Sequence, residues 1–259
     1  MGGGLLHRRP AELGTSIHQS QCCIIAPAAL EAPGDRVNPE ARQILQNLEL
    51  VAAERRACAV EPALRERVQA VKGYQHERFR QTYADLLAGG RYARAAQFFL
   101  DDLYGPGDFA QRDEQFARVV PAISRLFPRE ILLTVLALSE LHALSERLDV
   151  AMGRLHENAV VDPKSYAAAW RTVGRPAERE RQIALMLDVG RALDRYTRNV
   201  LLRQSLRLMR GPAHAAGLGE LQAFLERGFD TFREMRGAEG FLGLIAERER
   251  ELAASLFAS

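Results

Sequence analysis

Four polar residues of the longest predicted helix are spaced so that they share one helical face. His142, Glu146, Asp149 and His156 stand at i, i+4, i+7 and i+14. An imidazole and a carboxylate one turn apart can reach the same metal ion, and helical bundles build metal sites from such ligands on facing helices. The pattern therefore predicts His142, Glu146 and Asp149 as candidate metal ligands. It also predicts His142 and His156 as candidate cofactor-binding residues, for example for haem.

The same stripe has a simpler interpretation as a polar helix face. Di-iron bundles carry a Glu-x-x-His spacing. Here the residues three positions before three of the histidines are Gly73, Ser139 and Gly153. Leucines and methionines on another side of this helix supply an apolar stripe for the core. A polar face against solvent, or between helices, is therefore favoured over a metal site.

A second candidate is a row of arginines in the C-terminal half. Arg203, Arg207 and Arg210 recur at helical spacing, and arginines in such rows bind phosphates or carboxylates in pairs of hydrogen bonds. They are the candidate anion-binding residues. Acidic residues stand nearby in the preceding segment, which favours surface ion pairs as the simpler interpretation.

Charge and cysteine content narrow the classes of function. The 259 residues carry 35 basic and 33 acidic side chains, so the formal charge of +2 is too balanced for a typical nucleic-acid-binding domain. The three cysteines (Cys22, Cys23 and Cys58) include no Cys-x-x-Cys pair, which disfavours a disulfide framework and a zinc site and fits a reducing, cytoplasmic compartment. No apolar run is long enough to predict a membrane span. We expect neither nucleic acid nor membrane as a partner.

The hydrophobic periodicity is helical from residue 38 onward. Asn38 followed by Pro39 predicts a helix start, and a near-heptad apolar seam predicts a long helix over 62–87. Gly211 and Pro212 are expected to end a helical run that begins at Pro176. No segment shows the alternation of a strand. We expect an all-α fold, a compact multi-helix bundle of eight to ten helices. We expect one helical domain over 37–259 and a disordered N-terminal arm over 1–36.

One segment carries a resemblance. Residues 98–109 read FFLDDLYGPGDF, which resembles the F-F-L-x-x-L-Y-G-P-x-D-F stretch of an uncharacterised family of bacterial helical proteins. The resemblance extends from about residue 70 to the C-terminus and includes Arg112 and Asp113. It implies a helical fold and a bacterial origin, and it offers no catalytic residues to carry over.

These observations favour a non-catalytic interaction or regulatory module of the bacterial cytosol. The chain has no Gly-x-Ser-x-Gly elbow and no glycine-rich phosphate loop. We expect a homo-oligomer or a protein partner, with the amphipathic helix over 62–87 as one dimerisation surface. The alternative is a ligand or cofactor binder with a globin-like haem site or a metal-carboxylate site, and the sequence leaves the cofactor's identity open.

Overall fold

Helices make up nearly all of the part of the chain that the structure describes. The computed structural model describes residues 38–103 and 109–258, and within these ranges no residue lies in a strand. The described helices are α1 (Pro39–Val60), α2 (Pro62–Thr82), α3 (Ala84–Leu87), α4 (Ala93–Phe98), α5 (Ala110–Leu126), α6 (Arg129–Gly153), α7 (Pro163–Val173), α8 (Pro176–Thr197), α9 (Val200–Leu208), α10 (Arg210–Ala215), α11 (Gly219–Glu234) and α12 (Glu239–Ala258). A π-helical turn, Phe99–Leu103, continues α4. The expected all-α fold is confirmed.

Several helices begin at the capping residues that the sequence contains. The side chain of Asn38 accepts a hydrogen bond from the backbone N–H of Glu40 at 2.9 Å, and Pro39 is the first residue of α1. Asp162 and Ser165 form a reciprocal capping box at the start of α7. These contacts satisfy N–H groups that have no partner inside the helix.

The helix boundaries differ from the predicted ones at two positions. Gly211 and Pro212 do not simply end a helix, because both lie in the first turn of α10, while α9 already ends at Leu208. Proline is tolerated there because the first backbone N–H groups of a helix need no partner inside it. The predicted long helix over 62–87 is divided at Tyr83 into α2 and α3.

The long helix α6 lies at the centre of the described bundle and packs against α1, α2 and α8. The largest apolar cluster gathers aromatic side chains from five elements around Phe79, Phe99, Phe232 and Phe241. The predicted apolar seam of α2 is covered by other residues of the same chain, since Val71 and Phe79 are fully buried. The apolar side of α2 is therefore occupied within the chain.

The described helices form one compact unit. The predicted disordered arm, 1–36, lies outside the described residues. Among the residues with described positions, no helix combines the length and the hydropathy that crossing a bilayer requires.

Candidate functional site

The structure brings three of the four predicted stripe residues into one polar network between helices. Glu146 and Asp149 are buried in α6, with 5% and 8% of their surfaces exposed, and His142 is half-buried one turn earlier. His156 lies beyond the last residue of α6 and does not contact the other three through any hydrogen bond of the described residues. The stripe is thus a face between helices, as the favoured interpretation predicts.

His142 joins α6 to α5 and α1 through Asp113. Nε2 of His142 donates to Oδ2 of Asp113 at 2.8 Å, and Nη1 of Arg55 donates to the same oxygen at 2.8 Å. Burial by itself would raise the pKa of the Asp113 carboxyl. The hydrogen bond from His142 and the charges of Arg55 and Arg112 outweigh burial, so the pKa of Asp113 is lowered.

Glu146 is the central carboxylate of the network. Nζ of Lys72 in α2 donates to one of its oxygens at 2.8 Å, and Nη2 of Arg55 in α1 reaches the other at 3.5 Å. The side chains of Lys72 and Arg55 are only 21% and 25% exposed. Because Arg55 also pairs with Asp113, two carboxylates face these two largely covered cations, and Glu146 ties three helices together.

Asp149 continues the network one turn further along α6. Its carboxyl accepts a hydrogen bond from Nε2 of Gln75 at 2.9 Å, and it makes no ion pair within 4 Å among the described residues. Burial raises the pKa of Asp149, the charge of Lys72 opposes this, and the charge of Glu146 adds to it. The folded state therefore favours the protonated form of Asp149 more than the unfolded chain does.

The chemistry available to this network is that of cation neutralisation. Glu146 and Asp113 are already bound to arginine, lysine or histidine, and no group of three or more His, Cys, Asp or Glu side chains among the described residues is arranged to hold a metal ion. The arrangement favours the interpretation as a polar interface between helices, and the metal and cofactor sites stay predictions.

His156 occupies a different environment near the end of α6. It is buried, and its Nε2 has no hydrogen-bond partner among the described residues. Burial lowers its pKa, and the charge of Asp162 opposes that change. A neutral imidazole with an unpartnered, covered nitrogen is unusual, because buried polar atoms normally have a partner.

The predicted arginine row lies against the acidic side of α11. Arg203 and Arg207 approach Oδ1 of Asp230 at 3.5 and 3.9 Å, and Nε of Arg210 donates to Glu226 at 3.1 Å. The hydrogen bond from Arg210 lowers the pKa of Glu226. Ion pairs within the chain, which were the favoured interpretation, are thus present for all three candidate anion-binding residues. Sequence reasoning missed their acidic partners, although these stand one turn apart on α11.

The motif over 98–109 contributes to the core. Phe98, Phe99 and Leu100 are buried, and the guanidinium of Arg112 lies 4.1 and 4.3 Å from the ring centres of Phe109 and Phe224. Burial lowers the pKa of Arg112, and the nearby charges of Asp113 and Asp102 oppose that change. Residues 104–108 lie outside the described ranges.

The surface feature that sequence reasoning missed is the outer face of α9. This helix has no buried residue. Val200, Leu201, Leu208 and the adjoining Met209 are between 53% and 78% exposed. The sequence signal was present, because Leu201 and Leu208 are seven residues apart and fall on one side of a helix, but periodicity alone assigns such a side to the core.

Comparison with known proteins agrees with the resemblance noted in the sequence. A family model described as a domain of unknown function, DUF8198, matches residues 54–259. No curated protein and no solved structure matches the chain. The matched range contains the α6 network, the phenylalanine-rich motif and α9. Because the match covers most of the sequence, the chain belongs to the DUF8198 family.

Proposed function

We propose that the chain is a non-catalytic helical interaction module of the bacterial cytosol, and that it dimerises through the outer face of α9. The observation that carries the proposal is the exposure of Val200, Leu201, Leu208 and Met209 on a helix with no buried residue. Four large apolar side chains exposed at the two ends of one helix exceed the scattered single ones of an ordinary surface, and larger apolar patches mark interaction surfaces. The cytosolic assignment rests on the cysteine content, and the bacterial origin rests on the family resemblance.

A second copy of the chain fits this face because the face is complementary to itself. Two α9 helices that pack antiparallel around a two-fold axis place Leu201 of each copy against Leu208 of the other. In such an isologous contact, residue i meets residue j and j meets i. The centre of the contact falls at Gln204 and Ser205, whose side chains can hydrogen-bond to their own copies across the axis.

The charges around α9 favour a protein over an anionic lipid surface. A basic amphipathic helix is typical of membrane binding when its cations are free. Here Arg203, Arg207 and Arg210 are each paired with an acidic residue of α11. The three arginines share two carboxylates, so the flank of the apolar face keeps only about one net positive charge and two copies can approach without strong repulsion.

The test is the mass in solution, measured by light scattering during size-exclusion chromatography. We expect the wild-type chain at tens of micromolar to show twice the 28.9 kDa of one chain, and the variant Leu201→Ser/Leu208→Ser to show the mass of one chain. Leu126→Ser is the matched control, because Leu126 is also 78% exposed but ends α5, and it should stay dimeric. A monomeric wild type, or a dimeric double variant, would contradict the proposal. A monomeric wild type that binds vesicles of phosphatidylglycerol would instead assign the outer face of α9 to a membrane surface.

Ligand binding at His156 is the second candidate function. The unpartnered, buried Nε2 of this residue is the specific observation that favours it. An absorption spectrum and a metal analysis of the protein purified from its own host test it, with His156→Gln as the variant. Loss of a bound chromophore or metal in that variant would support the candidate, and equal loading of both proteins would remove it.

A further inference from the structure

A groove runs along the surface between α8 and α12, away from the network of α6. Its volume is about 530 Å³, within the range of about 300–1,000 Å³ that is typical of sites for small molecules. The two helices lie antiparallel, since Asp194 accepts a hydrogen bond from the N–H of Ala238 at 3.1 Å while Glu180 pairs with Arg250. Leu187 of α8 and Leu242 of α12 give the groove an apolar floor.

Charged side chains line both rims of the groove, and most of them already have partners. Asp194 binds Arg198 and the N–H of Ala238, Asp188 binds Arg191 at 3.2 Å, and Arg250 binds Glu180. Glu239 is the first residue of α12, where the helix dipole stabilises a negative charge.

Arg195 and Glu239 are the exceptions. Neither side chain makes an ion pair or hydrogen bond with any described residue, although both line the groove. The guanidinium of Arg195 therefore offers all its donors to an anion.

The glycines of this helix pair add an independent observation. A methyl group at Gly190 would meet Leu242 at 2.6 Å, and one at Gly240 would meet the hydroxyl of Tyr92 at 2.6 Å, so packing within the chain accounts for both. Gly243 also lies inside α12 and lines the groove, but a methyl group there would meet nothing within 4 Å. The open space at Gly243 leaves room for a molecule to lie close to the α12 backbone.

We propose that this groove binds a small organic anion, whose carboxylate pairs with Arg195 and whose short apolar chain lies across Gly243 over the leucine floor. Arginine suits this role because its planar guanidinium binds a carboxylate through two parallel hydrogen bonds. Leu187, Leu242 and Ala246 provide the apolar contact that a hydrocarbon chain needs. The site is separate from the outer face of α9, so it does not depend on dimerisation.

The experiment is a calorimetric titration of the full chain with octanoate. We expect one octanoate per chain. Gly243→Leu should abolish binding, because a Cβ at this position meets no protein atom within 4 Å and the rest of the leucine side chain occupies the groove. Gly73→Leu is the matched control, since Gly73 lies inside α2 with equally open space around it, and it should bind octanoate as the wild type does.

Two further measurements test the role of charge. Arg195→Gln should weaken octanoate binding by about tenfold, as expected for the loss of a charge-assisted hydrogen bond. Octanol, which lacks the carboxylate, should bind the wild type no more tightly than octanoate binds Arg195→Gln. No binding by the wild type, equal binding by Gly243→Leu and Gly73→Leu, or equal binding of octanol and octanoate would each overturn the proposal. Binding that persists in Leu201→Ser/Leu208→Ser would show that the groove acts independently of α9.

Discussion

Replacing Glu146 by glutamine should lower the free energy of unfolding far more than an exposed substitution of the same kind. Removing one partner of a buried ion pair typically costs about 3–5 kcal/mol, because the other charge is left without compensation. Lys72 and Arg55 keep 21% and 25% of their side-chain surface in contact with water. Both cations can be partly hydrated in the variant, so we expect a loss of about 2–4 kcal/mol.

The matched control is Glu140→Gln on the same helix. Glu140 likewise pairs with a cation, here through two hydrogen bonds from Arg181, but both side chains are exposed, at 39% and 49%. Exposed pairs of this kind contribute about 0–1 kcal/mol. Urea denaturation followed by circular dichroism measures both variants against the wild type. Thermal unfolding should show a Tm lowered by about 5–15 °C for Glu146→Gln. Losses in the two variants within 0.5 kcal/mol of each other would refute the reasoning.

A double-mutant cycle separates the ion pair from the rest of the environment of Glu146. If the cost in Glu146→Gln comes from the stranded ammonium of Lys72, then Lys72→Met should recover part of it. We expect the loss of stability in the combined variant to be smaller than the sum of the two single losses by about 1–2 kcal/mol. Strictly additive losses would show that Glu146 acts through contacts other than Lys72.

Two other substitutions follow from the same bundle. Because burial raises the pKa of Asp149, the protonated form stabilises the folded state below the unfolded pKa of about 4, and this contribution is lost as the pH rises through the folded pKa. The stability of Asp149→Asn relative to the wild type should therefore increase as the pH rises from 4 to 8 in urea titrations. A stability difference that stays constant with pH would contradict the assignment. A methyl group at Gly153 would lie 2.5 Å from Cγ2 of Val68, so Gly153→Ala should lower the free energy of unfolding by about 1–3 kcal/mol. Gly73 lies in open space, so Gly73→Ala should raise the free energy of unfolding by about 0.5–1 kcal/mol. Equal effects of the two changes would be inconsistent with this packing.

Local signals account for the parts of the fold that the sequence predicts well. The caps at Asn38 and Asp162 and the seam of α2 depend on residues three or four positions apart, which local patterns record. The predicted stop at Gly211 and Pro212 is wrong because the same dipeptide suits the first turn of a new helix. Sequence patterns cannot separate these two roles, because in neither place does the helix need a backbone N–H from the proline.

The candidate sites depend on pairings across the fold, which spacing does not record. Asp113 and His142 stand 29 residues apart, and Glu146 and Lys72 stand 74 apart. The stripe of α6 was identifiable because His142, Glu146 and Asp149 share one helix face, but its partners on α1, α2 and α5 were not. The exposure of α9 was equally hidden, since an amphipathic pattern shows that one side is apolar and not what covers it.

The most direct test of dimerisation through α9 is a disulfide across the two-fold axis. Ser205 lies near the midpoint between Leu201 and Leu208, so Ser205→Cys should bring two thiols within bonding distance in the antiparallel pair. The control is Glu247→Cys, an exposed position on α12, and both variants carry Cys22→Ser and Cys23→Ser. After mild oxidation, the account predicts a covalent dimer on a non-reducing gel for Ser205→Cys and monomer for Glu247→Cys. A monomeric Ser205→Cys, or equal cross-linking of both variants, would contradict it.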